Sequence, residues 1–286
     1  MYSLNIIGAG HCGKALGLLL KKTQKVYVQA VCNQHLKSTK DAIDFLGEGR
    51  AFERITDLPP ADLTLLSCAD DAIEHCAQAL SLSPNLDTSG IVFHCSGSKT
   101  SDSLESLKAR GCFVASIHPL MGFADSLLSV NSFAGCHCGV EGDFEACLIL
   151  EVLFLDMGAH VFSLSKAHKC QYHAGAVFAS NYLVTLAKTA QSLMEDAGVE
   201  QETAKNIITS LMSNSLENIK NHDTIEKALT GPIRRADLKT LKAHLAVMPE
   251  ESMQNLYRFL GLETIQLTNL ETSIKEQMKN ILINKE

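Results

Sequence analysis

Two hydrophobic rhythms divide the chain. Up to about Ser163, short apolar runs alternate with segments of helical period. The runs at 2–7, 26–32, 63–68, 91–95 and 113–117 are bounded by Gly, Asp, Asn or Ser. They are nearly continuous in apolar character, as strands are when both faces of a parallel sheet are covered. Between them, 14–22, 71–80 and 103–109 repeat as helices do, and Asp102 with Glu105 predicts a capping box at the start of the last. Runs at 134–140 and 160–164 extend the sheet. Strand–helix alternation of this kind predicts an α/β Rossmann domain with a mostly parallel, doubly wound sheet over residues 1–164.

From residue 165 the strand rhythm stops. Residues 171–198 read as one long helix, closed by Gly198 in the manner of a C′ glycine. Its apolar positions, among them Val177, Phe178, Leu183, Val184 and Leu193, run round more than one face, which predicts burial. Shorter helices are expected over 201–219, 223–229, 237–247, 249–260 and 268–283. Thr230-Gly231-Pro232 breaks the series, and Asp237 and Pro249 have the character of helix starts. The second domain, 165–286, is therefore expected to be all-α. Short helices leave much of so apolar a long helix uncovered, so a homodimer through the helical domain is expected.

Charge and cysteine usage narrow the partners. A net charge of −7 at pH 7, with no lysine- or arginine-rich run, argues against nucleic acid. No apolar run approaches the roughly 18 residues of a membrane span. The ten cysteines are scattered, mostly inside apolar runs where a thiol behaves as a small hydrophobe. They form no C-x-x-C motif, and a strand-like segment stands where a secretory leader would; a reducing cytoplasm is the expected compartment. Cys136-His137-Cys138 invites a metal reading. In a strand, however, the two cysteines share a face and the histidine points away. With no second ligand pair at zinc-like spacing, no metal is expected.

The segment Gly8-Ala9-Gly10-His11-Cys12-Gly13 fits G-x-G-x-x-G between a strand and a helix, the context a dinucleotide site requires. The first glycine permits the tight turn, the second lets backbone approach a pyrophosphate, and the third lets helix and strand pack closely. The helix N-terminus adds free N–H groups and partial positive charge. At the end of the second strand, NAD enzymes place a carboxylate for the ribose 2′-hydroxyl. Here stand Asn33, Gln34, His35 and Lys37. Nothing there repels a 2′-phosphate and Lys37 is placed to attract one, so NADP is expected rather than NAD. Ala69 and Asp70, after the third strand, should border the cofactor.

Candidate chemistry gathers at the same sheet edge. Ser96 and Ser98 follow the fourth strand, and His118-Pro119-Leu120-Met121-Gly122 follows the fifth. A strand-end histidine with a pKa near neutrality serves as general acid or base; bonded to backbone, it is structural instead. On the long helix, His173 and Ser180 are seven apart and nearly on one face, with Asn181 displaced by about 80°. Polar groups on a buried helix need partners, from a ligand or a neighbouring helix.

His118-Pro119-Leu120, the run from Tyr172 to Leu183 and Ala228-Leu229-Thr230-Gly231-Pro232-Ile233 resemble a family assigned as NADP-dependent oxidoreductases. Its members pair a Rossmann-like domain with a C-terminal domain of unassigned function, similar to the helical domain of 6-phosphogluconate dehydrogenase. The resemblance spans almost the whole chain and implies that fold; it brings no settled substrate. Hydroxyacid dehydrogenases and ketopantoate reductase, of similar build, use a lysine four residues before an asparagine. Asn181 matches the asparagine, but Val177 stands at the lysine position. Prephenate dehydrogenase has a histidine in a similar His-Pro-Met-like segment and a serine after the preceding strand. That likeness implies catalytic roles for His118 and for Ser96 or Ser98.

The expectation that follows is an NADP-dependent oxidoreductase acting on a small keto or hydroxy acid or an imine between the two domains. His118 exchanges the proton, Ser96 lies near the nicotinamide, and His173 and Asn181 orient the substrate. The competing expectation is a catalytically silent NADP(H) sensor or regulator.

Overall fold

A computed structural model of the chain describes residues 1–248 and 250–283. Pro249, read above as a helix start, lies outside the described residues. The first elements are β1 (Tyr2–Ile7), α1 (His11–Lys22), β2 (Val26–Cys32), α2 (Leu36–Leu46), β3 (Arg50–Phe52), β4 (Leu63–Leu66) and α3 (Ile73–Ser81). Then follow β5 (Ile91–His94), α4 (Glu105–Lys108), β6 (Phe113–Pro119), α5 (Ser126–Ser132), β7 (His137–Gly142), α6 (Phe144–Asp156) and β8 (His160–Ser163). They build one eight-stranded sheet of order β3-β2-β1-β4-β5-β6-β7-β8. Only the β6–β7 pair is antiparallel. The first six strands thus take the 3-2-1-4-5-6 order of a dinucleotide-binding sheet.

Two cores explain the continuous apolar runs. All four residues of β4 and of β5 are buried. One face of the sheet packs Leu16, Leu46, Phe133 and Phe154 from α1, α2, the end of α5 and α6. The other packs Ile73, Leu80 and Leu107 from α3 and α4. Hydrophobic burial on both faces leaves only the strand ends open to solvent.

Compact packing divides the chain into Met1–Val177 and Phe178–Glu286. The first unit therefore runs past residue 164, where the strand rhythm ends, because helix α7 (Lys169–Ala179) is tied to the sheet. Lys169 is wholly buried; its Nζ donates to Glu141 Oε1 on β7 at 2.9 Å and to Ser116 Oγ on β6. The second unit carries α8 (Asn181–Asp196), α9 (Gln201–Asn221), α10 (Leu238–Val247), α11 (Glu251–Gln266) and α12 (Thr272–Ile283). Its core holds Ile233, Leu241, Leu245, Ile265, Met278 and Leu282. Among the described residues, no helix is long and apolar enough to cross a membrane.

Several expectations are corrected. The single helix over 171–198 is two helices, broken at Ser180 with φ −124° and ψ −70°. Ser180 Oγ donates to Asn181 Oδ1 at 2.9 Å, a local bond of the kind that competes with helical pairing. The shared face of His173 and Ser180 does not survive this break. Nor is the segment buried: α8 has no buried residue, and Phe178 and Val184 are 70% and 71% exposed. The expected helix over 223–229 is a 3-10 turn, Ile225–Ala228. The capping box at Asp102 is absent: Thr100 Oγ1 accepts from the Asp102 N–H, while the Asp102 carboxylate pairs with Lys166.

Candidate active site

The glycine loop has the geometry its spacing requires. Gly8 has φ +83°, and a Cβ there would stand 2.6 Å from Cys68 N. On Gly13 a Cβ would meet Ser67 Oγ at 2.3 Å. On Gly10 it would meet nothing within 4 Å. So the first and third glycines are packed against the segment after β4, while the second faces open space, where a pyrophosphate needs room. Gly10 caps α1 with no side-chain hydrogen bond, which leaves the N–H groups of His11, Cys12 and Gly13 for an anion. The His11 imidazole approaches Ser126 Oγ at 3.2 Å.

At the end of β2 the structure redirects one expected residue. Asn33 Oδ1 accepts from the Ala9 N–H at 2.6 Å, so Asn33 holds the glycine loop. His35 is the N-cap position of α2, and Lys37 sits in its first turn rather than in a loop. Gln34, His35 and Lys37 are all exposed.

Ser96 joins two loops of the sheet edge. Its hydroxyl donates to Asp70 Oδ2 at 2.6 Å and accepts from the N–H groups of Lys99 and Ser98. Ser98 Oγ donates to the same Asp70 oxygen at 3.1 Å. Asp70 therefore fastens the loop after β5 to the segment after β4, and exposed Ala69 precedes it. His94 completes the scaffold. Its Nδ1 accepts from the Ser96 N–H at 3.2 Å and its Nε2 donates to Thr100 O at 3.1 Å. Both nitrogens are satisfied only in the neutral ring.

The sheet edge brings His118 and His173 together over Gly97. Their ring centroids are 5.6 Å apart. A Cβ on Gly97 would stand 2.3 Å from His173 Nδ1 and 2.8 Å from His118 Nε2, so the rings close on bare backbone. Tyr172, which the sequence reading did not single out, places its hydroxyl 3.1 Å from His118 Nδ1. Among the described residues, His173 Nδ1 is buried without a hydrogen-bond partner, and a buried polar group calls for one. The expected near-neutral pKa of His118 is overturned: burial, the neighbouring His173 and the Lys169 charge hold it down to about 4. His118 is thus a neutral imidazole at pH 7. Tyr172 engages Nδ1, and Nε2 is the ring nitrogen turned to the Gly97 backbone. Asn181 opens α8 in the second unit and is exposed.

Strand order and glycine loop define a Rossmann-like protein, and residues 1–119 match the model of a Rossmann-like domain. Residues 136–264 match the model of a domain of unknown function, DUF2520, so the chain is a Rossmann-like protein that carries this second domain. No curated protein matches the sequence. The fold is similar to that of a Bacteroides fragilis protein provisionally named an NADP oxidoreductase (TM-score 0.77, 18% identity, 93% of this chain and 98% of that one). It is also similar to a protein of Thermotoga maritima (TM-score 0.70, 22% identity, 92% and 97%). A third similar structure is pyrroline carboxylate reductase of Plasmodium falciparum with NADP bound (TM-score 0.62, 12% identity, 98% of both chains).

The neutral histidines make stability depend on pH. His94, wholly buried, is held down to about 4 by burial and then by the Lys169 charge, and His118, half-buried, is held down to about 4 by burial, then by His173 and then by Lys169. Between about pH 6.5, where an unfolded histidine titrates, and about 4, the unfolded chain binds protons that the fold refuses. Stability therefore falls as pH drops through that window. His94 alone should remove on the order of 2 kcal/mol between pH 7 and pH 5. Urea unfolding at the two pH values checks this; equal or greater stability at pH 5 would contradict it.

Proposed function

We propose that the protein is a pyridine-nucleotide-dependent oxidoreductase that uses NADP(H) and acts on a small keto or hydroxy acid or an imine. One observation carries the proposal: the glycine cradle and the His118–His173 pair stand at the same, carboxyl-terminal edge of the parallel strands. Ligands of such sheets bind at that edge. The similarity in fold to proteins named for NADP chemistry supports it. When bound, the nucleotide supplies or accepts the hydride.

The chain's own residues then divide the work. Gly8, Gly10, His11, Cys12 and Gly13 hold the pyrophosphate, while Ala69 and Asp70 border the nucleotide. Lys37 and His35, exposed at the start of α2, meet the 2′-phosphate, and Asn33 steadies the glycine loop. His118, neutral and protonated at Nε2, donates to the substrate oxygen or nitrogen and stabilises the charge that develops there. A neutral imidazole of this kind acts as an electrophile without storing a second proton. His173 gives its unpartnered Nδ1 to the substrate. Asn181, exposed at the start of α8 in the second unit, is the residue that matches the asparagine of the related dehydrogenases. All ten cysteines are free thiols, which suits a reducing cytoplasm.

Val177 in place of the dehydrogenases' lysine favours a second reading, a nucleotide sensor without turnover. Oxidation of bound NADPH by a panel of keto acids and imines separates the two. Among substrates that react, His118→Asn should lower the single-turnover rate by about 10²–10³-fold with NADPH affinity unchanged. A wild-type rate would remove His118 from the chemistry, and tight NADPH binding with no acceptor oxidised would leave the sensor.

Calorimetry tests the choice of nucleotide. Charge-assisted hydrogen bonds of about 1.5–3 kcal/mol to the 2′-phosphate predict a preference for NADPH over NADH of roughly tenfold or more. Equal affinities, or tighter NADH binding, would contradict it.

A homodimer through the second unit is part of the same proposal. Its support is exposed apolar surface: Phe178, Val184, Leu211 and Phe259 are 70%, 71%, 55% and 70% exposed in one chain. Apolar side chains left so exposed are candidates for burial by association. Light scattering at micromolar concentration should return twice the chain mass, and a monomer mass would exclude the dimer.

A further inference from the structure

Lys169 asks for an explanation that the proposed chemistry does not supply. It is a fully buried cation, 0% exposed. Its Nζ is shared between Glu141 Oε1 and Ser116 Oγ. Glu141 in turn accepts from the Ser101 N–H at 2.9 Å and from Ser101 Oγ at 2.8 Å. The pair is well satisfied, yet taking two ions out of water is costly, and apolar residues of similar volume commonly do as well or better for stability. A buried ion pair retained at such a place is better explained by what it specifies.

What it specifies is visible in the spacing of two elements. Ser116 and His118 lie on one face of β6, two residues apart and about 6.6–6.8 Å along the strand. Lys169 and His173 lie on one face of α7, four residues apart and about 6 Å along the helix, with Tyr172 between them at three. The two repeats nearly match. Joining Lys169 to Ser116 as the first rung therefore delivers Tyr172 and His173 to His118 as the second. That second rung is observed: the Tyr172 hydroxyl is 3.1 Å from His118 Nδ1, and the His118–His173 centroids are 5.6 Å apart. One residue further along in either direction, the helix would turn both side chains away from His118.

We infer that Lys169 is a positioning residue: its buried contacts with Ser116 and Glu141 set the register of α7 on β6, and so the meeting of Tyr172 and His173 with His118 over Gly97. The consequence for chemistry, a His118 ring fixed as the Nε2–H donor, rests on the proposed function; the register itself does not. Charge acts in the same sense. His118 is faced by Tyr172, His173 and Lys169 from α7 and by Asp70 from the segment after β4, and Lys169 is faced by Glu141, Cys95 and Asp70. Of these, His173 and Lys169 disfavour a second proton on His118, and Asp70 favours it.

The test uses the full chain with both charges removed together, Lys169→Met with Glu141→Gln, so that no ion is left buried alone. Nuclear magnetic resonance reads the register through the cross-relaxation between the Tyr172 ring and the His118 ring protons, and the environment through the His118 titration. In the folded double variant the Tyr172–His118 cross-peak should be lost, and the His118 midpoint should move up by about one pH unit or more. NADPH affinity should stay as in wild type, since the glycine loop is untouched. Ser116→Ala is the second variant: it keeps the Lys169 charge, removes one anchor, and should weaken the same cross-peak. If the double variant fails to fold, Ser116→Ala decides. A cross-peak and a titration both unchanged in the folded variants would overturn the inference. A lost cross-peak in a protein that oxidises no NADPH would uphold it while refuting the proposed activity.

Discussion

A lysine ammonium taken wholly out of water must find a counter-charge, and where this chain supplies one decides how far its first unit extends. Glu141 on β7 and Ser116 on β6 receive Lys169, and helix α7 is drawn onto the sheet beyond the last strand. Without that tie, the helix would begin the second unit and the polar residues on it would have no fixed relation to the strand ends. With it, Tyr172 and His173 become part of the sheet edge.

The parallel arrangement does the rest. Parallel strands end at one edge, so the loops after β1, β4, β5 and β6 are neighbours although they are far apart in sequence. Each loop is held by bonds that consume its polar groups: Asn33 on the glycine loop, Asp70 on Ser96 and Ser98, His94 between Ser96 and Thr100. Among the described buried side-chain polar atoms of this edge, His173 Nδ1 has no hydrogen-bond partner, and it stands beside the bare backbone of Gly97. Hydrogen bonds within the fold thus fasten the loops around that nitrogen.

The legible parts of the sequence were those with a local physical cause. Runs 2–7 and 26–32 are strands at their expected bounds because continuous apolar character has one comfortable home, a sheet covered on both faces. The glycine loop was legible because each glycine answers a steric demand that only glycine meets. Helix α6 was missed because it is apolar on every side and shows no period, and β3 because two exposed residues and one half-buried residue carry no rhythm. The break at Ser180 hid between the apolar runs 176–179 and 182–184. At the site, His118 was legible as a strand-end residue, but its neutrality was not, since burial and the charge of Lys169 come from tertiary packing. Ser96 drew attention for its place and proved to serve Asp70. Lys169, in a polar stretch with Lys166 and His168, drew no attention; the available signal was its spacing of three and four from Tyr172 and His173.

Everything proposed for the reaction depends on one spatial relation, that a nucleotide seated on the glycine loop reaches the end of β6. A crystal structure with NADPH measures it directly. The relation predicts the nicotinamide ring beside Gly97, its C4 separated from His118 Nε2 by no more than the width of a small carbonyl substrate. A nicotinamide lying over β2 or in solvent, with His118 still closed on Tyr172 and Gly97, would contradict it.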